Sequence, residues 1–144
     1  MLGGSFTHWG VLINTKETID AVLALKTWAV VGLGNNPERA AFGVAKLLQD
    51  KGHRIIPVHP RAELIHGENG YKTLSEIPES VDVVDCFVNS TLVGKVVDEA
   101  IAIGAKAVWL QLDVIDHEAI ARAQAAGLLT VIDRCPAIEY RARV

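Results

Sequence analysis

Apolar positions along the chain follow two alternating patterns. Runs of mostly apolar residues, rich in Val and Ile, lie at residues 27–32, 54–58, 81–88, 107–112 and 129–132. Stretches with apolar side chains three or four residues apart lie at residues 15–25, 37–51, 92–103 and 117–126. The runs predict strands that are covered on both faces, and the spaced pattern predicts amphipathic helices. Glycine follows three of these helices, at Gly52, Gly104 and Gly127, as is typical of helix C-termini.

Strands and helices therefore alternate along most of the chain. The interval 59–80 is the exception, with a short edge strand predicted near Tyr71 and one helical turn at 73–77. Because crossovers between parallel strands are right-handed, this alternating order predicts a doubly wound parallel sheet, a Rossmann-like three-layer α/β/α fold. We expect a single domain over residues 1–144, in which residues 1–26 form a lead-in segment with the first helix. Residues 1–14 show no clear pattern.

Composition narrows the possible partners. The 144 residues carry a net charge of −3 without a basic cluster, which argues against a nucleic-acid partner. We see neither a signal peptide nor an apolar stretch long enough to span a membrane. Two cysteines, Cys86 and Cys135, are too few for a disulfide framework. The expected location is the cytoplasm.

The first strand ends in the strongest candidate site. Gly32 and Gly34 allow unusual backbone conformations and a close approach of a ligand, and Asn35 and Asn36 follow them. A helix predicted to begin at Pro37 would direct free N–H groups at a phosphate, with Arg39 in its first turn. Because a lone G-x-G is also found in ordinary tight turns, that interpretation stays open.

The second strand is followed by His59, Pro60 and Arg61. An NAD site expects a carboxylate here to accept the ribose hydroxyls, and the sequence has none. Arginine suits a phosphorylated ribose, which NADP carries at its 2′ position and coenzyme A at its 3′ position. The alternative is that Arg61 is a solvated loop residue.

Several short segments occur in a characteristic order. They are residues 29–32, 37–39, 56–61, 71–74 with 77–78, 83–85, 107–111, and 133–136 with Glu139. With this ordered set the chain resembles the small stand-alone CoA-binding proteins, which are related in fold to the CoA-binding domain of the succinyl-CoA synthetase alpha subunit.

The resemblance implies coenzyme A bound across the strand ends. By position, residues 34–36 match the phosphate loop, and Arg61 matches the basic residue beside the adenosine. Asn89 and Ser90 would flank the cofactor from the opposite side, and Gln111 would lie near the pantetheine arm. The full predicted cofactor-binding set is Gly32, Gly34, Asn35, Asn36, Arg39, Phe42, His59, Pro60, Arg61, Asn89, Ser90 and Gln111.

Catalytic patterns are not apparent: we find no nucleophile–histidine–carboxylate order, metal cluster or Walker loop. Cys135, beside Arg134, could form a mixed disulfide with the cofactor thiol, although a packing role is the simpler interpretation. We expect a coenzyme A or acyl-CoA binding protein, with a homodimer or a partner protein possible. The alternatives are an NADP-binding oxidoreductase or nucleotide-responsive regulator, and a non-catalytic subunit of an acyl-CoA ligase.

Overall fold

A five-stranded parallel sheet lies at the centre of the computed structural model, which describes residues 5–6 and 12–144. The elements in chain order are β1 (Ser5–Phe6), β2 (Leu12–Ile13), α1 (Lys16–Leu23), β3 (Thr27–Val31), α2 (Ala40–Asp50), β4 (Arg54–Val58), β5 (Val83–Cys86), α3 (Ser90–Ala102), β6 (Ala107–Leu110), α4 (His117–Ala125), β7 (Leu129–Val131) and α5 (Pro136–Arg141). A 3-10 turn at Leu74–Glu76 precedes β5. The strand order is β4-β3-β5-β6-β7, and β1 pairs with β2 in a separate antiparallel hairpin.

The two faces of the sheet carry two apolar clusters. Successive strand residues point to opposite faces, so that Val84 packs with α3 and α4 whereas Val83 packs with α1 and α2. Trp28 and Trp109 fill the second cluster, with ring centroids 5.6 Å apart. Within the five-stranded sheet, every strand except β4 and β7 has a neighbour on both sides, and helices cover both faces. The strands of this sheet therefore consist largely of apolar residues. The predicted doubly wound, Rossmann-like α/β fold is confirmed.

The strand order reverses around β3. The chain passes from β3 to β4 on one side and then returns to β5 on the other. At such a reversal the connections leave towards opposite faces and a crevice opens between them. This position therefore determines where a ligand can approach the sheet.

Two features differ from the sequence-based expectation. The helix predicted from Pro37 begins at Ala40, and Arg39 precedes it in an extended conformation, with φ −81° and ψ 142°. The prediction that Arg39 lies in the first helical turn is therefore wrong, because residues 36–39 form a turn of their own. Helix α5 was not predicted, since six residues are too few to show a helical period.

The lead-in segment is attached to the far end of the sheet. Asn14 is buried, and its amide donates to the carbonyl of Ile132 at 2.7 Å while its Oδ1 accepts the Ile132 N–H at 2.9 Å. At the other edge, Tyr71 pairs with Val58, as the pattern near Tyr71 predicted. No helix in the described part of the chain is long and apolar enough to cross a membrane.

Candidate cofactor site

A cavity of about 710 Å³ lies at the carboxyl ends of β3, β4 and β5, where the strand order reverses. Three connections form it: the segment between β3 and α2, the segment after β4 and the two residues after β5. Its lining residues are Gly32, Gly34, Asn35, Asn36, Arg39, Ala40, Ala41, His59, Pro60, Arg61, Glu63, Phe87 and Val88. Eight of the twelve predicted site residues are thus brought together.

Gly32 permits the close approach of two connections. Its φ is +95°, and its N–H donates to the Val58 carbonyl at 2.8 Å. A Cβ at this position would lie 2.4 Å from the carbonyl oxygen of Phe87, which is shorter than any tolerated contact. Gly32 is therefore required both for backbone conformation and for the space between the ends of β3 and β5.

Gly34 has a different role. Its backbone is not left-handed, so the expectation of an unusual conformation holds for Gly32 but not for Gly34. A Cβ on Gly34 would lie 3.2 Å from Nε2 of His59. The absence of a side chain at residue 34 therefore leaves room for the His59 ring and keeps the cavity open.

The N-terminus of α2 supplies free hydrogen-bond donors. Asn36 accepts the Glu38 N–H through Oδ1 at 3.0 Å and the Arg39 N–H through its carbonyl at 3.1 Å. Ala40 and Ala41 line the cavity, and their N–H groups have no acceptor among the described residues. Together with the positive end of the helix dipole, these two amides form an environment that favours an anion.

Two arginines at the cavity lack protein partners. Arg39 and Arg61 are exposed, and their guanidinium groups make no ion pair or hydrogen bond within the described chain. By contrast, carboxylates pair with the guanidinium groups of Arg54, Arg122 and Arg143. The unpaired positive charges are therefore available to a ligand. Glu63 is the one acidic residue in the lining.

Four predicted residues lie outside the cavity lining. Phe42 packs on the ring of His66, with centroids 4.3 Å apart. Asn89 caps α3 by accepting the Thr91 N–H. Ser90 accepts the Ile115 N–H at 2.9 Å, and Gln111 is buried with no partner for its Oε1 among the described residues. The expectation that these residues contact the cofactor stays a prediction.

Five lining residues were not in the predicted set: Ala40, Ala41, Glu63, Phe87 and Val88. The two alanines contribute backbone N–H groups, which a residue type does not reveal. Phe87 and Val88 were assigned to the end of a strand that in fact stops at Cys86. The rule that ligands bind beyond strand ends would have found them if that boundary had been placed two residues earlier.

Two groups beneath the site have unusual surroundings. Asp85 is fully buried in β5, neither carboxyl oxygen has a partner in the described structure, and burial raises its pKa well above the ordinary value. Burial and the neighbouring Asp85 also raise the pKa of the Cys86 thiol. The other thiol, Cys135, is 8% exposed within the apolar cluster of α1 and α2, an environment that supports a packing role.

Comparison with known proteins identifies the family of the chain. A family model described as CoA binding domain matches residues 26–141, and the chain belongs to this family. The uncharacterized protein YneT of Bacillus subtilis is 33% identical over 110 residues, which are 76% of this chain and 82% of YneT. A solved structure of a hypothetical protein from Pyrococcus horikoshii OT3 has a TM-score of 0.85 and 38% identity, covering 90% of this chain and 92% of that one.

An enzyme subunit is also related. The alpha subunit of ADP-forming acetate–CoA ligase II from Pyrococcus furiosus is 37% identical over 71 residues, which are 45% of this chain but 16% of the subunit. The chain therefore corresponds to a small part of that ligase subunit. The resemblance to CoA-binding proteins inferred from the sequence is confirmed at the level of the family.

Proposed function

We propose that the chain binds coenzyme A, free or as an acyl thioester, in the cavity at the ends of β3, β4 and β5. The observation that carries this proposal is the set of unpartnered donors in one place: two guanidinium groups and two helix amides. Coenzyme A has a diphosphate and a separate 3′-phosphate, so it needs donors at more than one point. The cavity of about 710 Å³ falls within the usual size of cofactor sites.

The positions of the positively charged groups suggest which residues bind the diphosphate and which bind the 3′-phosphate. The amides of Ala40 and Ala41, with Arg39 beside them, suit the diphosphate, because a helix N-terminus stabilises a bound anion. Arg61 follows the neighbouring strand β4 and suits the 3′-phosphate through a charge-assisted contact. In this proposal the chain binds or senses the cofactor, and its residues perform no chemistry on it.

The proposal is tested by titrating coenzyme A and its analogue without the 3′-phosphate against the protein by calorimetry. Arg61→Gln should weaken coenzyme A by roughly ten- to a hundredfold, the effect of one charge-assisted contact, and the analogue by much less. The matched control is Arg141→Gln, an exposed arginine outside the cavity, which should leave both affinities unchanged. Equal weakening of both ligands would show that Arg61 does not contact the 3′-phosphate.

Two alternatives are separated by related measurements. Tighter binding of NADPH than of coenzyme A would favour a dinucleotide-dependent function, since Arg61 could also contact a 2′-phosphate. A role as a ligase subunit requires a partner chain that supplies nucleotide-dependent chemistry. If such a chain co-purifies, and if the pair forms acyl-CoA where this chain alone does not, the protein is a ligase subunit rather than an independent binding protein.

A further inference from the structure

The same side-chain contact occurs at the ends of three adjacent strands. After β3, Asn36 Oδ1 accepts the N–H of Glu38 at 3.0 Å, and after β5, Asn89 Oδ1 accepts the N–H of Thr91 at 3.1 Å. After β4, the acceptor is a ring nitrogen: His59 Nδ1 accepts the N–H of Arg61 at 3.1 Å. In each case the side chain holds the amide two residues further on, which fixes the local turn. Of the three acceptors, the imidazole ring of His59 is the one that can accept only in its neutral form.

The turn held by His59 carries Arg61 into the cavity. The His59 carbonyl accepts the N–H of Ala62 at 2.8 Å, and Ala62 has a φ of +49°. The backbone N–H of His59 donates to the Tyr71 carbonyl at 2.9 Å, which anchors the start of the turn. Because the Arg61 side chain has no partner among the residues that the structure describes, the contact of its N–H with His59 orients this residue.

This contact requires one protonation state of the ring. A nitrogen that accepts an N–H must have a free lone pair, so the proton of the neutral ring is on Nε2. The Nε2 edge faces Gly34, since a Cβ there would lie 3.2 Å from it. A second proton could bind only at Nδ1, where it would meet the Arg61 N–H and the contact would be lost.

We propose that His59 is a positioning residue that holds Arg61 for the 3′-phosphate, and that coenzyme A affinity therefore falls when His59 is protonated. The inference rests on the proposed function, because the ligand is the one assigned there. Its structural basis is the ring acceptor in the turn, the unpartnered guanidinium that follows it and their shared cavity.

Charged groups of both signs surround His59. Arg39, Arg61 and Glu63 line the same cavity as the ring. Tyr71 reaches His59 through its backbone carbonyl. If the charge on His59 attracted phosphate more than the lost turn disfavoured it, binding would strengthen in acid. The sign of the pH dependence, measured relative to a variant whose residue 59 does not titrate, therefore distinguishes positioning from direct charge attraction.

The experiment compares coenzyme A affinity at pH 8 and pH 5.5 for the wild type, His59→Asn and His59→Phe. Asparagine can accept the Arg61 N–H but does not titrate, and phenylalanine keeps a ring without an acceptor. We expect the weakening from pH 8 to pH 5.5 to be about fivefold larger for the wild type than for His59→Asn, as one hydrogen bond is lost. At pH 8, His59→Asn should bind more tightly than His59→Phe. The phosphates of the ligand titrate equally in all three proteins and cancel in the ratio.

A second readout uses the free protein. In ¹⁵N NMR spectra, the Arg61 amide resonance should shift with the titration of the His59 ring in the wild type and stay still in His59→Asn. The inference is overturned if the affinity of the wild type depends on pH no more than that of His59→Asn. It is also overturned if the Arg61 amide resonance does not change when the His59 ring is protonated. If coenzyme A fails to bind at pH 8, the proposed function is wrong, while the NMR titration still decides whether His59 positions Arg61.

Discussion

The carboxyl edge of the sheet has two halves that differ in how their polar groups are used. The connections after β3 and β4 leave the guanidinium groups of Arg39 and Arg61 and two helix amides without partners in the described part of the chain. The connections after β5, β6 and β7 are also polar, but they bond to one another. Ser90 accepts the Ile115 N–H, and Asp133 Oδ1 accepts the Asp113 N–H at 2.7 Å. The first half can therefore bind a ligand through groups that the second half uses internally.

The direction of the helices explains this difference. Helix α2 packs on one face of the sheet and α3 on the other, so the connections leading to them diverge and leave a crevice. Helices α3 and α4 lie on the same face and pack together, which brings the segments before them into contact. A polar residue after a strand is thus a candidate ligand-binding group only where the adjacent connections separate.

The largest expected effect on coenzyme A affinity comes from filling the cavity in the first half of the edge, formed by the connections after β3 and β4 and here called the open half. Gly34→Leu should weaken coenzyme A by about a hundredfold or more, because its side chain would displace the His59 ring and fill the cavity. The measurement is calorimetric titration beside thermal unfolding. Gly43→Leu is the matched control, since a Cβ on this exposed α2 residue meets nothing within 4 Å. Similar affinities for the two variants would show that the ligand does not occupy this half.

Asp85, in the strand shared by both halves, should make stability depend on pH. Burial raises its folded-state pKa, so above the ordinary carboxyl pKa the unfolded chain releases a proton that the folded chain keeps, and the wild type loses stability as pH rises. The free energy of unfolding of Asp85→Asn minus that of the wild type should grow by about 1.4 kcal/mol per pH unit where the pH lies above the ordinary carboxyl pKa and below the raised one.

Urea unfolding at several pH values measures this difference. Glu17→Gln, at an exposed residue of α1 without an ion pair among the described residues, is the control and should give a profile parallel to that of the wild type. A parallel profile for Asp85→Asn as well would mean that the Asp85 carboxyl finds a partner, such as a bound water, that stabilises its charge.

The smallest effect on coenzyme A affinity is expected in the second half of the edge, formed by the connections after β5, β6 and β7 and here called the closed half. Ser90→Ala removes the acceptor of the Ile115 N–H and should lower the free energy of unfolding by about 1 kcal/mol. Coenzyme A affinity should change less than twofold, since Ser90 does not line the cavity. Ser80→Ala, at an exposed residue without a hydrogen bond among the described residues, is the stability control. A tenfold loss of affinity in Ser90→Ala would extend the site into the closed half, as the family resemblance implies.

The strands and most helices could be predicted from sequence because burial imposes a local pattern. The apolar run at 54–58 has the same bounds as β4, and the run at 27–32 exceeds β3 by one residue. The start of α2 could not be predicted in the same way. Pro37 suits a first helical position, but Asn36 accepts the N–H groups of Glu38 and Arg39 and closes a turn, so the helix begins at Ala40.

The sequence by itself determined the α/β fold and the family, and it predicted candidate phosphate-binding groups in the connections after β3 and β4, because these depend on residue types and their spacing. Only the tertiary structure decided which polar groups are free. Asn36, His59 and Asn89 follow strands in similar contexts, yet Asn89 lies outside the cavity while the other two line it. The partners of a polar group come from distant parts of the chain, so the local sequence pattern does not predict them.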